Sequence, residues 1–122
     1  MTEPVVIDES KRLISSDMVE GTKVYNRQGE KLGTVLNFMV NKRSGEVEYA
    51  VMEFGGILGI GTEYYPIPWK MLDYDEAEGG YVVDLDKDKL EGAPRHRDRQ
   101  QSFTDVYGRD VYGYYGMPYP YI

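Results

Sequence analysis

The segment from Glu46 to Phe54 is apolar on both sides of an extended chain, and this constrains the fold more than any other stretch. Successive side chains of a strand point to opposite faces. Val47, Tyr49 and Val51 therefore share one face, and Ala50, Met52 and Phe54 share the other. A strand that lies between core and water needs only one apolar face, so two imply cover on both. One face fills a core. The other is covered by the C-terminal tail or by a partner subunit.

The flanking residues place this strand in a small β-domain. A strand is predicted over about 22–25, a turn over 26–29 with Gly29 able to take positive φ, and a second strand over about 31–41. Gly33 inside that second strand suggests a bulge or tight bend. A turn over 42–45 leads into the apolar strand. Gly55, Gly56, Gly59 and Gly61 then mark a loop or sharp reversal around Ile57, Leu58 and Ile60. A fourth strand, about 63–67, contains Pro66 and is followed by Pro68. Proline cannot donate to a ladder, so this strand should end there or lie at an edge. Residues 69–72 read as a short helical turn, 73–80 as an acidic turn, 81–85 as a fifth strand and 87–90 as one more helical turn. Ahead of the sheet, 15–21 reads as a turn or single helical turn, with Ser15 or Ser16 as cap and Gly21 as stop. Residues 1–14 read as an extended arm, in which Val5, Val6 and Ile7 could add a short edge strand.

Composition changes after Pro94. Residues 95–101 are polar and charged, as in a linker, and the rest of the chain is rich in tyrosine and glycine. Phe103, Val106, Tyr107, Val111, Tyr114 and Tyr115 fall at helical spacing, which predicts a short amphipathic helix. Gly108 and Gly113 lower its intrinsic propensity. A tail this aromatic should pack on its own domain or on a neighbour's.

Charge and chemistry narrow the function. The net charge is −7, with 10 basic against 18 acidic side chains up to Pro94 and 4 against 3 from Arg95 onward. Such a surface repels phosphate backbones, so direct nucleic-acid binding is not expected. The absence of cysteine excludes a disulfide framework or thiolate metal site and fits a reducing cytoplasm. Residues 1–8 lack the basic and apolar parts of a signal peptide, and no apolar run reaches the roughly 18 residues of a membrane span. A cytoplasmic protein without cofactor is the expectation.

No catalytic set is legible. His96 is the sole histidine and sits among Arg95, Arg97, Asp98 and Arg99, which reads as an exposed linker residue. Asp84, Asp86 and Asp88 alternate as at the start of a calcium loop. Lys89 stands where the loop glycine belongs and Arg95 where its last glutamate belongs, so a solvated strand end is the better reading. Asp73, Asp75, Glu76 and Glu78 read as an acidic turn. The glycines of 55–61 lack the Lys-Ser/Thr ending of a phosphate loop. The remaining candidates form an aromatic and apolar contact surface: Met52, Phe54, Tyr64, Tyr65, Trp69, Tyr107, Tyr112, Tyr114, Tyr115 and Tyr119. Trp69 could instead plug the end of a barrel.

In order and spacing, several residues together resemble the PRC-barrel family. These are Gly21 with Val24 and Tyr25, Gly29 with Leu32 and Gly33, the series Gly45, Val47, Tyr49, Ala50, Val51, then Phe54, Gly55, Gly56, Leu58 and Gly61, and finally Ile67, Pro68 and Trp69. The resemblance covers about 14–94. It implies a mainly β fold, a small, strongly bent antiparallel sheet of five or six strands closing into a barrel, with short helical turns and the aromatic tail appended. The domains are then a 1–14 arm, a 15–94 barrel and a 95–122 linker and tail. The family includes the cytoplasmic domain of the photosynthetic reaction-centre H subunit, a domain of a ribosome maturation factor and free-standing bacterial members. The tail, with Tyr114, Tyr115, Gly116 and a Pro-Tyr ending, is similar to those of the free-standing members. This chain has neither a membrane helix ahead of the barrel nor a second barrel, so neither specific role transfers. What the resemblance implies is a non-catalytic adaptor or assembly module with an unknown protein partner; the two apolar faces of 46–54 and the aromatic tail, on a domain too small to cover both, lead to the expectation of a homodimer. The alternatives are an RNA-processing or ribosome-associated accessory acting through protein contacts, and a small-molecule-binding barrel around Trp69.

Overall fold

The computed structural model of the chain describes residues 13–54 and 61–121. The proposed strand at Val5 to Ile7 and the glycine reversal from Gly55 to Ile60 lie outside the described residues. Helix α1 spans Ser16–Val19 and β1 spans Lys23–Asn26. Ser15 takes the N-cap position of α1, but its hydroxyl bonds to the Asp17 carboxylate rather than to the helix backbone. Gly21, with φ +81, lets the chain turn back towards the sheet. Strands β2 (Lys31–Val40), β3 (Val47–Phe54) and β4 (Glu63–Pro68) form an antiparallel meander. A 3-10 turn at Trp69–Met71 follows, then β5 (Asp73–Asp75), β6 (Gly80–Val83) and α2 (Lys87–Glu91). Helix α3, Asp105–Tyr114, is built from the tail.

The six strands are ordered β4-β3-β2-β1-β6-β5. Two expectations are corrected here. The sheet is not wholly antiparallel, because β1 pairs with β6 in parallel, Val24 opposite Tyr81 and Asn26 opposite Val83. The acidic stretch after the 3-10 turn is also not only a turn, since Asp73, Tyr74 and Asp75 form a sixth, short strand against β6.

Nor does the sheet close. Among the described residues β4 and β5 remain its two edges. The reason lies in the β4 backbone. The N–H and C=O of Tyr64 both point away from β3, where they exchange bonds of 2.8 and 3.0 Å with His96. Every second residue of an antiparallel strand faces the same way. The next two outward positions are Pro66 and Pro68, which have no N–H to offer a closing strand.

The sheet is nevertheless strongly curled. Trp69, beside the β4 edge, has its ring 5.7 Å from that of Tyr81 on β6 and 6.1 Å from that of Phe38 on β2. It bridges the two ends of the sheet. Bulges bend the strands between Val24 and Tyr25 and between Val35 and Asn37. Gly33 and Gly80 are points of close approach, since a Cβ would lie 2.3 Å from the Glu53 carbonyl oxygen at the first and 2.3 Å from that of Lys23 at the second. The concave side holds the main core, with Val24, Leu32, Val35, Ala50, Met52, Tyr65, Ile67 and Val83 all nearly inaccessible. Val19 of α1 and Leu90 of α2 complete it. Asp86 caps α2 by accepting the Lys89 N–H at 2.7 Å, and Asp84 pairs with Arg27, so both carboxylates have structural partners.

Candidate functional site

The convex face of the sheet carries the second apolar set anticipated for β3. The register places Met39, Tyr49 and Pro68 side by side, and likewise Asn37, Val51 and Pro66. Tyr49 is only 3% exposed and Val51 only 4%. The cover of Tyr49 is the chain's own tail. Val111 and Tyr112 of α3 are as inaccessible as the core, and they form one cluster with Tyr49.

The tail is tied down at several levels. Thr104 caps α3 by accepting the Tyr107 N–H. Tyr49 meets Phe103 at 5.1 Å and Tyr112 edge-on at 5.6 Å, arrangements that suit aromatic quadrupoles. The Tyr112 hydroxyl donates to the Glu48 carbonyl at 3.3 Å. The Tyr114 hydroxyl donates to the Lys89 carbonyl at 2.5 Å, with the Lys89 ammonium over its ring at 4.2 Å. After α3 the chain folds back, and the Tyr119 hydroxyl donates to Asp105 at 2.9 Å. Gly108 lies inside α3, where its low helix propensity is set against a packing role. A Cβ there would stand 2.7 Å from the Tyr49 hydroxyl and 2.6 Å from a Tyr119 ring carbon. The glycine is what lets the helix lie against the sheet.

His96 is corrected from an exposed linker residue to a half-buried hub. Its backbone pairs with Tyr64, its ring lies 5.7 Å from those of Phe103 and Tyr107, and its Nδ1 is 2.6 Å from the Tyr107 hydroxyl. Burial lowers its pKa, with Asp98 opposing, which favours a neutral imidazole sharing a hydrogen bond with the Tyr107 hydroxyl. On either side of it, Arg95 and Arg97 both reach Glu63, at 2.9 and 3.3 Å. Burial pushes the Tyr107 hydroxyl up to about 12. Burial, with the hydrogen bond to Asp105, does the same for Tyr119, again to about 12. Burial raises Tyr49, Tyr112 and Tyr115 as well. The tail is an assembly of neutral phenols.

The ten candidate contact residues are thus divided. Met52, Tyr65, Phe54 and Trp69 belong to the concave core and its margin. Tyr64, Tyr107, Tyr112 and Tyr119 belong to the convex face and its tail. Tyr114 and Tyr115 lie between, touching the main core from α3. Met52, Tyr64, Tyr65 and Tyr112 are buried within the chain, whereas Tyr107, Tyr114, Tyr115 and Tyr119 are half-buried. Sequence reading missed His96 because its arginine neighbours advertise solvent. The pairing of those arginines with a glutamate 32 and 34 positions earlier has no local signal. Among the described residues no group of three or more His, Asp or Glu could hold a metal ion, and no helix is long and apolar enough to cross a membrane.

No curated protein matches the chain. The family model for the PRC-barrel domain matches residues 11–90, from just ahead of α1 to the last turn of α2, and leaves the aromatic tail outside. With two thirds of its length matched, the chain belongs to the PRC-barrel domain family.

Proposed function

We propose that this protein is a non-catalytic adaptor whose contact surface is the aromatic tail docked on its convex face. PRC-barrel domains are generally protein-interaction modules, which supplies the class. One observation supports placing the contact on the tail. Tyr107, Tyr114, Tyr115, Tyr119 and Tyr121 are all half-buried, held by the fold yet still partly accessible. Rigid, partly exposed tyrosines supply contact area at low entropic cost and are enriched at interfaces. Val106, 68% exposed on α3, adds an apolar side chain to the same element. A cytoplasmic setting and the lack of a cofactor accompany this reading.

Affinity capture from the native cell tests it. The full chain is compared with Val106→Glu and Arg109→Glu, which alter exposed positions of α3 and leave its buried side intact. Loss of a captured partner with retained thermal stability supports the tail as the contact surface. Identical capture by all three proteins rejects it. The homodimer is the form of this reading in which the partner is a second copy. Its original motive, an uncovered face of β3, is met within the chain by Tyr112 and Val111. Light scattering at micromolar concentration decides the matter, since a species of 14.0 kDa ends the dimer.

A further inference from the structure

A cleft of about 240 Å³ lies between the convex face of the sheet and the segment that carries the tail onto it. Buried Val51 and Tyr64 line its depth, half-buried Met39 and Phe103 its sides, and exposed Arg99 its mouth. Asn37 also lines it, and its buried Oδ1 is an acceptor without a partner, so a ligand's anionic group belongs at Arg99 and away from it. Leu36 adds a further apolar side chain and His96, Gln100 and Gln101 add polar ones, so apolar walls meet converging polar groups, as in small-molecule sites. At roughly 30 Å³ per water-sized group, the space suits a molecule of about eight heavy atoms.

The charge at the mouth selects the ligand. Arg95 and Arg97 both pair with Glu63, while no carboxylate among the described residues pairs with Arg99. The nearest acid in sequence, Asp98, is turned to the Gln100 backbone N–H at 2.8 Å. An unpaired guanidinium favours a planar carboxylate, which it can bind through two parallel bonds. The net charge of −7 disfavours anions of higher charge. Methionine, valine and phenylalanine walls favour a flat hydrocarbon body.

We propose that this cleft binds a small aromatic carboxylate, its ring between Met39, Val51 and Phe103 and its carboxylate on Arg99. Such a ligand touches the sheet and the 96–103 segment at once. It therefore stabilises the docked tail by mass action.

An NMR titration of the full chain tests this, with benzoate, acetate, benzyl alcohol and benzylamine as probes. The expected result is saturable shifts at Met39, Val51 and Phe103, tightest for benzoate. Acetate, lacking the ring, and benzyl alcohol, lacking the charge, bind more weakly, and benzylamine weakest of all. Arg99→Gln, at an exposed position, weakens benzoate by about tenfold, as loss of one charged hydrogen-bonding partner requires. The same variant leaves benzyl alcohol unchanged. Equal binding of benzylamine and benzoate, an unchanged benzoate affinity in Arg99→Gln, saturable shifts confined to β5 and β6, or no saturable shift with benzoate each overturns the proposal.

Discussion

Replacing Gly108 by alanine tests whether α3 is a helix made for its docking site or one that merely lies near it. Alanine is the better helix former by about 1 kcal/mol in a helix interior, so an isolated α3 should gain. In the docked helix the new methyl would sit 2.7 Å from the Tyr49 hydroxyl and 2.6 Å from Tyr119 Cε1. Comfortable contact begins near 3.5 Å, so the helix or its neighbours must move by about 0.8 Å. Tyr119 is half-buried near the chain end and has room to yield. Tyr49 is enclosed by Phe103, Val111 and Tyr112 and does not. Overpacking of this kind costs about 1–3 kcal/mol, which offsets or outweighs the propensity gain and leaves Gly108→Ala destabilised by up to about 2 kcal/mol. Gly113 provides the control. It belongs to the same helix, is exposed, and a Cβ there meets nothing within 4 Å. Gly113→Ala should stabilise by up to about 1 kcal/mol. The two variants, chemically the same change five residues apart, should therefore differ by the overpacking cost, about 1–3 kcal/mol, with Gly113→Ala the more stable. Urea unfolding followed by circular dichroism measures both. Equal stabilisation by the two substitutions would refute the packing of α3 on Tyr49.

The other predictions concern the same docked tail and its supports. Tyr112→Ala removes a fully buried ring and should cost about 3–5 kcal/mol by denaturant titration, while Val106→Ala, at an exposed site, should change little. The lowered pKa of His96 means that its contribution is complete above pH 6.5 and is lost as pH falls through the folded value. Acidification should therefore loosen the tail, and a His96 resonance titrating at or above 6.5 would contradict this. Tyr107 and Tyr119, both raised to about 12, favour the folded state up to about pH 10, and that stability is lost as pH rises towards 12. A spectrophotometric titration should resolve phenols that ionise well after free tyrosine. Asp86→Ala removes the cap of α2 and should cost about 1 kcal/mol in thermal unfolding.

Much of the sheet was legible because its strands announce themselves by alternation. The two apolar faces of β3 were read correctly, and so was the helical spacing of the tail, since both depend only on local period. Topology was less accessible. The parallel pairing of β1 with β6 joins residues nearly sixty positions apart, and nothing in Val24 or Tyr81 alone specifies it. The acidic stretch hid β5 because Asp73 and Asp75 are poor strand formers, and their charge suits a short edge that must avoid further pairing. Closure was overestimated for a reason that the sequence did contain. Pro66 and Pro68 identify an edge strand, but which neighbour the missing N–H groups would have faced depends on the outward pairing of Tyr64, visible only in three dimensions. The packing role of Gly108 was not legible because its cost to the helix is local and its benefit is a contact with Tyr49, fifty-nine positions away.

These features meet at the β4 edge. An open, curled sheet leaves two surfaces that could attract another chain: the unpaired edge and the apolar convex face. The protein treats both with one segment. His96 pairs with Tyr64, the only one of the three outward β4 positions able to donate, and the two prolines silence the rest. The same residue holds Tyr107 and so begins the tail that covers Tyr49. Edge and face are therefore coupled, and undocking the tail should expose both together. Hydrogen exchange can separate the coupled from the independent case. If the amides of Tyr64 and of α3 exchange with one common opening free energy, and His96→Ala lowers both equally, the segment acts as a single unit. If Tyr64 stays protected while α3 exchanges freely, the strap and the helix are two separate devices.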